Sequence, residues 1–230
     1  MKTVCIVQAR IGSTRLPGKV MEFVGDRPVI THVLEKCCKI PGVDDVVCAI
    51  PDTRENDVLG SLVEFEGYEA VYGSETDVLA RTYQAALYAE ADVVMRVTSD
   101  CPLIDPELCG EVLALQQEYN AEYASNVHPR SYPKGLDCEV MTIRALRNAY
   151  KNATSYPDRE HVTSYIVGQD ITKLNQAKFP KIEGRWTLDY PEDLDFIRAV
   201  YENGDPSSME ATLDILKKNP WISEINERYI

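Results

Sequence analysis

Short apolar runs alternate, in the first half of this chain, with longer segments whose apolar residues recur every three or four positions. The short runs at 4–7, 45–50, 69–72 and 92–97 predict strands, and the segments 28–40, 53–66, 77–89 and 105–119 predict helices. Within 77–89, Val78, Leu79, Tyr83, Ala86 and Leu87 fall on one face. Asp105 followed by Pro106 gives an N-cap and a proline at the first helical position. This β-α-β-α order predicts a parallel-rich sheet covered by helices on both faces, with ligands beyond the carboxyl ends of its strands. From residue 127 the pattern loosens. His128, Pro129, Pro133 and Gly135 mark a loop; then follow a strand at 136–141, helices at 143–152 and 158–167, and strands at 171–179 and 185–188. Tyr190-Pro191-Glu192-Asp193 opens a helix that ends near Gly204, and 207–218 and 221–228 predict terminal helices. The reading is one domain over 1–230, with an insertion at about 127–182 expected to pack against a second subunit.

Composition narrows the class. The 230 residues are 44% hydrophobic and 27% charged, as in a globular enzyme with a substantial core. A formal net charge of -13 argues against nucleic acid and against anionic membrane surfaces as partners. No apolar run approaches the ~20 residues of a membrane span, and no signal-peptide pattern is present, so the expected location is cytoplasmic. The seven cysteines contain no C-x-x-C and predict reduced, mostly buried thiols.

Against that acidic background, residues 9–19 gather Arg10, Arg15 and Lys19 with the hydroxyls of Ser13 and Thr14, directly after the first strand. Gly12 predicts a tight turn whose amides could meet an anion. Cations, hydroxyls and amides together suit a polyphosphate. Val20 occupies the place where a Walker A loop needs Ser or Thr, and the glycine spacing is not that of a dinucleotide loop.

Other candidates lie farther along. Asp100 follows the 92–97 strand, and Asp189 also precedes a helix at a predicted strand end. Asp100 reads either as a ligand for Mg²⁺, which favours one or two carboxylates plus phosphates, or as an Asx turn. Glu192 and Asp193 read as first-turn helix residues, and Asp193-x-Asp195 lies inside a helix. Arg81 is either a ligand contact or an exposed helix charge. Asp137 and Glu139 share one predicted strand face, where they would orient sugar hydroxyls or face solvent. His161 is one of three histidines. Arg130, Lys134 and Arg159 add cations to this half of the chain, candidates for the acceptor carboxylate that the resemblance described next implies.

Six blocks in order resemble the cytidylyltransferases that make CMP-activated sugar acids, including CMP-Kdo and CMP-sialic acid synthetases and above all the spore coat polysaccharide biosynthesis protein F branch. They are Ala9-Arg10-x-Gly12-Ser13-Thr14-Arg15-Leu16-Pro17-Gly18-Lys19, Gly73-Ser74…Asp77-Val78-Leu79-x-Arg81, Asp100-x-Pro102-Leu103-Ile104-Asp105, Gly135-Leu136-Asp137-x-Glu139, Arg159-Glu160-His161-Val162-Thr163 and Leu188-Asp189-x-Pro191-Glu192-Asp193-Leu194. The resemblance implies a three-layer α/β/α sandwich with a mixed, mostly parallel, GT-A-like sheet, and a homodimer. It implies that Ala9, Arg10, Gly12, Ser13, Thr14, Arg15 and Lys19, with Arg81 and Thr98, hold CTP. Asp100 and Asp189 become the Mg²⁺ ligands, and Arg15, Lys19, Asp100 and Asp189 the catalytic set. Asp137, Glu139, Arg159 and His161 would face a sugar acid used in polysaccharide biosynthesis. In the Kdo branch a Gln-Gly that helps to read the base precedes the metal Asp; here the pair is Thr98-Ser99. Two other readings stay open: a GT-A glycosyltransferase, for which no convincing strand-end D-x-D is present, and a non-catalytic nucleotide-binding module.

Overall fold

The computed structural model describes residues 1–178 and 181–229. Its central sheet has seven strands: β1 (Thr3–Gln8), β4 (Asp45–Pro51), β5 (Glu69–Gly73), β6 (Val93–Thr98), β7 (Tyr123–Ser125), β8 (Glu139–Thr142) and β9 (Lys173–Asn175). They lie in the order β5-β4-β1-β6-β8-β7-β9, while β2 (Phe23–Val24) and β3 (Arg27–Pro28) form a separate small hairpin. β4 and β6 flank β1 in parallel, with Ile6 level with Val47 and with Arg96. β8 runs antiparallel to both of its neighbours. The expectation of a mixed, mostly parallel sheet between helical layers is met.

Alternation along each strand builds the layers. Cys5 and Val7 of β1, with Met95 and Val97 of β6, enter one core with α1 (Val29–Cys37), α2 (Asp57–Phe65) and α4 (Pro106–Glu118). Val4, Ile6 and Val94 enter the other, against α3 (Val78–Tyr88), α5 (Ile143–Asn152) and α7 (Ser164–Val167), with α6 (Tyr156–His161) packed on α3. Each fully buried Val, Ile or Leu contributes about 1.5–3 kcal/mol relative to exposure. A third core seats α8 (Pro191–Glu202), α9 (Met209–Lys218) and α10 (Trp221–Glu224) on Leu103, Leu136, Trp186 and Leu188. The Asp105 N-cap forms as predicted: Oδ1 accepts from the N–H groups of Glu107 and Leu108. Its Oδ2 accepts from Met209 and so ties α4 to α9.

Several boundaries differ from expectation. The 136–141 strand begins only at Glu139, which leaves Asp137 in the preceding loop. Residues 185–188 form no strand; one bridge joins Arg185 to Lys134, because the backbone donors diverge, Trp186 to the Lys134 carbonyl and Leu188 to that of Asp100. The 158–167 helix is divided at Val162, and the 171–179 strand contracts to β9, with Phe179 outside the described residues. The 221–228 helix keeps only α10 and a separate 3-10 turn at Glu227–Tyr229. β7 has no counterpart in the sequence reading, being only three residues long. The 127–182 segment supplies β8, a strand inside the main sheet, together with β9 and α5 to α7. Six of the seven cysteines are buried thiols and Cys38 is exposed.

Gly135 fixes the junction between the sheet and the third core. Its φ is +109°, and a Cβ there would lie 2.5 Å from the Trp186 carbonyl carbon. Gly135→Ala is expected to destabilise the chain by about 2 kcal/mol or more, measured by urea unfolding, because neither backbone can yield cheaply.

Candidate active site

A cavity of about 480 Å³ opens at the carboxyl ends of β1 and β6. Gln8, Ala9, Arg10, Gly12, Ser13, Thr14, Arg15 and Lys19 border it from β1 and its loop. Arg96, Thr98, Ser99 and Asp100 come from β6, Val78 and Arg81 from α3, Glu160 and His161 from α6, and Asp189 from the turn before α8. This volume is typical of small-molecule sites. Of the sequence candidates, the loop residues, Arg81, Thr98, Asp100, His161 and Asp189 converge. Asp137, Glu139 and Arg159 do not border the cavity.

The loop is pinned from beneath. Asn56, fully buried, accepts from the Ile11 N–H through Oδ1, and the Gly18 N–H donates to the Ile11 carbonyl. The left-handed residue of the loop is Gly18, at φ +71°. Gly12 passes close to Glu55, whose Oε1 would lie 3.2 Å from an added Cβ. Gly18 starts the short 3-10 turn Lys19–Met21, which aims Lys19 inward.

Lys19 joins the two carboxylates. Its Nζ lies 2.8 Å from Asp100 Oδ2, 3.0 Å from Asp189 Oδ1 and 2.7 Å from the Leu188 carbonyl oxygen. Thr98 donates its hydroxyl to Asp100 Oδ1 at 2.6 Å, so Asp100 is bonded through side chains and not as the backbone-capping Asx turn. Asp189 is gripped on several sides, by Arg15 at 3.0 Å, Arg185 at 3.1 Å and Lys134 at 3.4 Å. Burial alone would raise the Asp189 carboxyl pKa, but the charges of Lys19, Lys134 and Arg15 outweigh it and hold the group well below the usual range. Asp100 follows the same balance, with burial opposed by Lys19 and Thr98, and is also lowered.

Behind Asp189 stands a framework that the sequence did not disclose. Arg185 donates Nε to Asp193 Oδ1 and Nη2 to Asp193 Oδ2, each at 2.9 Å. Asp193 Oδ2 also accepts from the Asp189 and Tyr190 N–H groups, and Asn226 donates to its Oδ1. Asp193 therefore is structural, as read, while Arg185 and Asn226 went unnoticed: nothing local marks an arginine as buried.

Arg81 is only 3% exposed, which excludes the exposed-charge reading. It donates to the Ser74 and Glu75 carbonyls, and its Nε has no partner among the described residues. Burial, then repulsion by Arg10, lowers its pKa to about 10. A buried cation without a carboxylate partner, beside a second one, favours an anionic ligand.

The predicted acceptor face is rearranged. Glu139 is buried; it takes hydrogen bonds from Arg96 and from the Tyr123 hydroxyl, the latter at 2.6 Å. Asp137 pairs with Arg130. Arg159 turns to Asp77 and to the Tyr150 carbonyl, fastening α6 to α3. In place of these residues, Arg96 reaches the cavity, held by Glu139 and by Gln8 Oε1 at 3.0 Å, while Gln8 donates to Thr82. The missed signal lay in alternation: Ile6-x-Gln8 and Val94-x-Arg96-x-Thr98 put polar side chains on a face that is otherwise apolar. Glu160 and His161 are delivered by a γ-turn in which Val162 has φ +61° and the Thr163 N–H bonds the His161 carbonyl at 2.6 Å. A β-branched residue there stores about 1–3 kcal/mol of strain, a cost typical of functional segments.

The chain matches the cytidylyltransferase family over residues 4–215. It belongs to that family. Among its relatives, the spore coat polysaccharide biosynthesis protein SpsF of Bacillus subtilis is 30% identical, over 94% of each chain. The 3-deoxy-manno-octulosonate cytidylyltransferase 2 of Hydrogenovibrio crunogenus is 36% identical, over 89% of this chain and all of its own length. In three dimensions, a cytidylyltransferase from Leptospira borgpetersenii superposes with a TM-score of 0.91 at 26% identity, covering 97% of both chains. The protein is thus a nucleotidyltransferase. Among the described residues no helix is long and apolar enough to cross a membrane.

The lowered Asp100 and Asp189 pKa values set a pH dependence. A carboxyl depressed in the folded state adds stability above its unfolded pKa of about 3.9, and that stability is lost as pH falls toward the folded value. Asp189→Asn is therefore expected to melt below wild type at pH 7, with the gap closing steadily below about pH 5. Thermal melts across that range check this; a gap independent of pH would contradict it.

Proposed function

We propose that this cytidylyltransferase moves CMP from CTP to a hydroxyl of a sugar acid, of the ulosonic or nonulosonic type, and releases pyrophosphate. One observation carries the reading: two carboxylates meet on one ammonium directly beside a loop bearing Arg10, Arg15 and two hydroxyls. The 3-deoxy-manno-octulosonate cytidylyltransferase of Hydrogenovibrio and the polysaccharide role in the name of the Bacillus relative support the acceptor class.

The reaction asks mainly for position and charge. An acceptor oxygen bonds to the α-phosphorus, the bond from that phosphorus to the bridging oxygen breaks, and the electron pair leaves with pyrophosphate. Arg10, Arg15 and Lys19 neutralise the triphosphate, with Ser13 and Thr14 donating to its oxygens. Among the described residues no three His, Cys, Asp or Glu side chains form a metal cluster. Two carboxylates beside a phosphate site nevertheless suit Mg²⁺, which completes its shell with phosphate and water. Held there, the ion would offset charge at the α-phosphate. Arg81 borders the same cavity, near Ser74 and Glu75, and its charge, which no carboxylate meets among the described residues, suits the nucleotide. Arg96, Glu160 and His161 bound the side assigned to the acceptor. A glycosyltransferase reading loses its remaining motif, because Asp193 faces Arg185 while Asp195 lies on the exposed side of α8.

Asp100→Asn is expected to lower CTP-dependent pyrophosphate release by at least about 100-fold with the fold retained by circular dichroism. A panel of sugar acids, each incubated with CTP and magnesium, supplies the acceptor; undiminished release by the variant would remove Asp100 from the reaction. We also read the enzyme as a homodimer joined through 127–182, where Tyr150 and Tyr156 are exposed. Sedimentation equilibrium should give twice the chain mass, and a monomer at micromolar concentration would refute this.

A further inference from the structure

Lys19 sits at the convergence point of three oxygens, from Asp100, Asp189 and the Leu188 carbonyl, all within 3.0 Å of its Nζ. Its side chain is only 13% exposed. That donor set is what a hard divalent cation takes. Ammonium and metal ion compete for the same carboxylate oxygens, since two cations cannot share so small a space without strong repulsion. We propose that Lys19 is the resident counter-ion of the metal site. In the free enzyme its ammonium fills the cation position; it leaves for the triphosphate when nucleotide binds, so the metal enters with the nucleotide and not before it. This rests on the metal and nucleotide reading given above.

Three features make the exchange workable. Lysine is a compact point charge on a flexible four-carbon stem, able to swing where an arginine fork would be fixed. The backbone beneath it is anchored by the Gly18–Ile11 and Met21–Gly18 hydrogen bonds, so movement is confined to the side chain. The loop cations border the same cavity, which makes a triphosphate held by them a nearby second home for the ammonium. The two carboxylates respond unequally. Asp189 keeps Arg15, Lys134 and Arg185 after Lys19 departs, whereas Asp100 has no other cation within ion-pair distance among the described residues. Without lysine or metal, Asp100 would be a half-buried charge held only by the Thr98 hydroxyl and the weak Cys101 thiol donor. Lysine release and metal entry are thereby coupled at that residue, and by linkage metal and nucleotide raise each other's affinity.

Manganese, followed by the electron paramagnetic resonance signal of the free ion, tests this with the full chain and no acceptor. Wild type should bind Mn²⁺ weakly alone and at least about tenfold more tightly with CTP. Lys19→Met should bind Mn²⁺ alone at least about tenfold more tightly than wild type, and CTP should then add less. If Lys19→Met binds Mn²⁺ alone no better than wild type, the proposal is overturned. Lys19→Gln repeats the comparison if the Met variant fails to fold. Wild type that binds Mn²⁺ equally with and without CTP overturns it with no variant at all. A separate result, Mn²⁺ binding with CTP that is the same in wild type and Asp100→Asn, would overturn the metal assignment beneath it.

Discussion

Everything at the mouth of this sheet depends on keeping two carboxylates close together in a partly buried place. Asp100 and Asp189 repel each other, and burial penalises both. The Lys19 ammonium resolves that conflict by bonding to each of them and to the carbonyl before Asp189. Removing one member of such a cluster leaves an uncompensated charge, which is why breaking buried pairs is costly even where forming them contributes little. The fold has therefore been arranged around this contact from three directions: the β1 loop, the β6 end and the turn before α8.

Each direction has its own support. Asn56 and Gly18 hold the loop, and Thr98 sets the Asp100 carboxylate. Arg185, Asp193 and Asn226 fix the backbone of Asp189 and Tyr190 through a set of matched donors and acceptors. Beside these, Thr82, Gln8, Arg96, Glu139 and Tyr123 form a largely buried hydrogen-bonded chain across four strands and α3. Satisfied polar networks of this kind rigidify the groups they contain. The cavity gathers the loop cations with Arg96, Glu160 and His161. A nucleotidyltransferase needs room there for two substrates, because they meet at a single phosphorus.

The parts legible in the sequence were those with local causes. Strands β1, β4, β5 and β6 announced themselves by short apolar runs, and α4 by Asp105-Pro106. The cationic loop stood out because its charge had no local explanation, and Asp100 and Asp189 because each follows an apolar run. Long-range pairings were not legible. Asp137 and Glu139 looked equivalent by spacing, yet Glu139 is buried by Arg96 and Tyr123 while Asp137 lies in a loop with Arg130. Arg159 belonged to a matching block but is spent on Asp77. Arg81 was ambiguous because its burial depends on the backbone at 73–75, remote from its own helix pattern. Residues 185–188 read as a strand by composition, but Trp186 and Leu188 donate to two different segments, at Lys134 and Asp100, pairings that no local pattern reveals.

The cation and the phosphates should meet at Asp100, Asp189 and the 9–19 loop when substrate is present. A crystal of the full chain with CTP and manganese, examined at the manganese anomalous edge, gives that position. The expected result is one anomalous peak in contact with Asp100 and Asp189, with Lys19 turned onto the triphosphate. A map with the triphosphate outside the 9–19 loop, or with Lys19 still bridging both carboxylates and the metal elsewhere, would contradict the central claim.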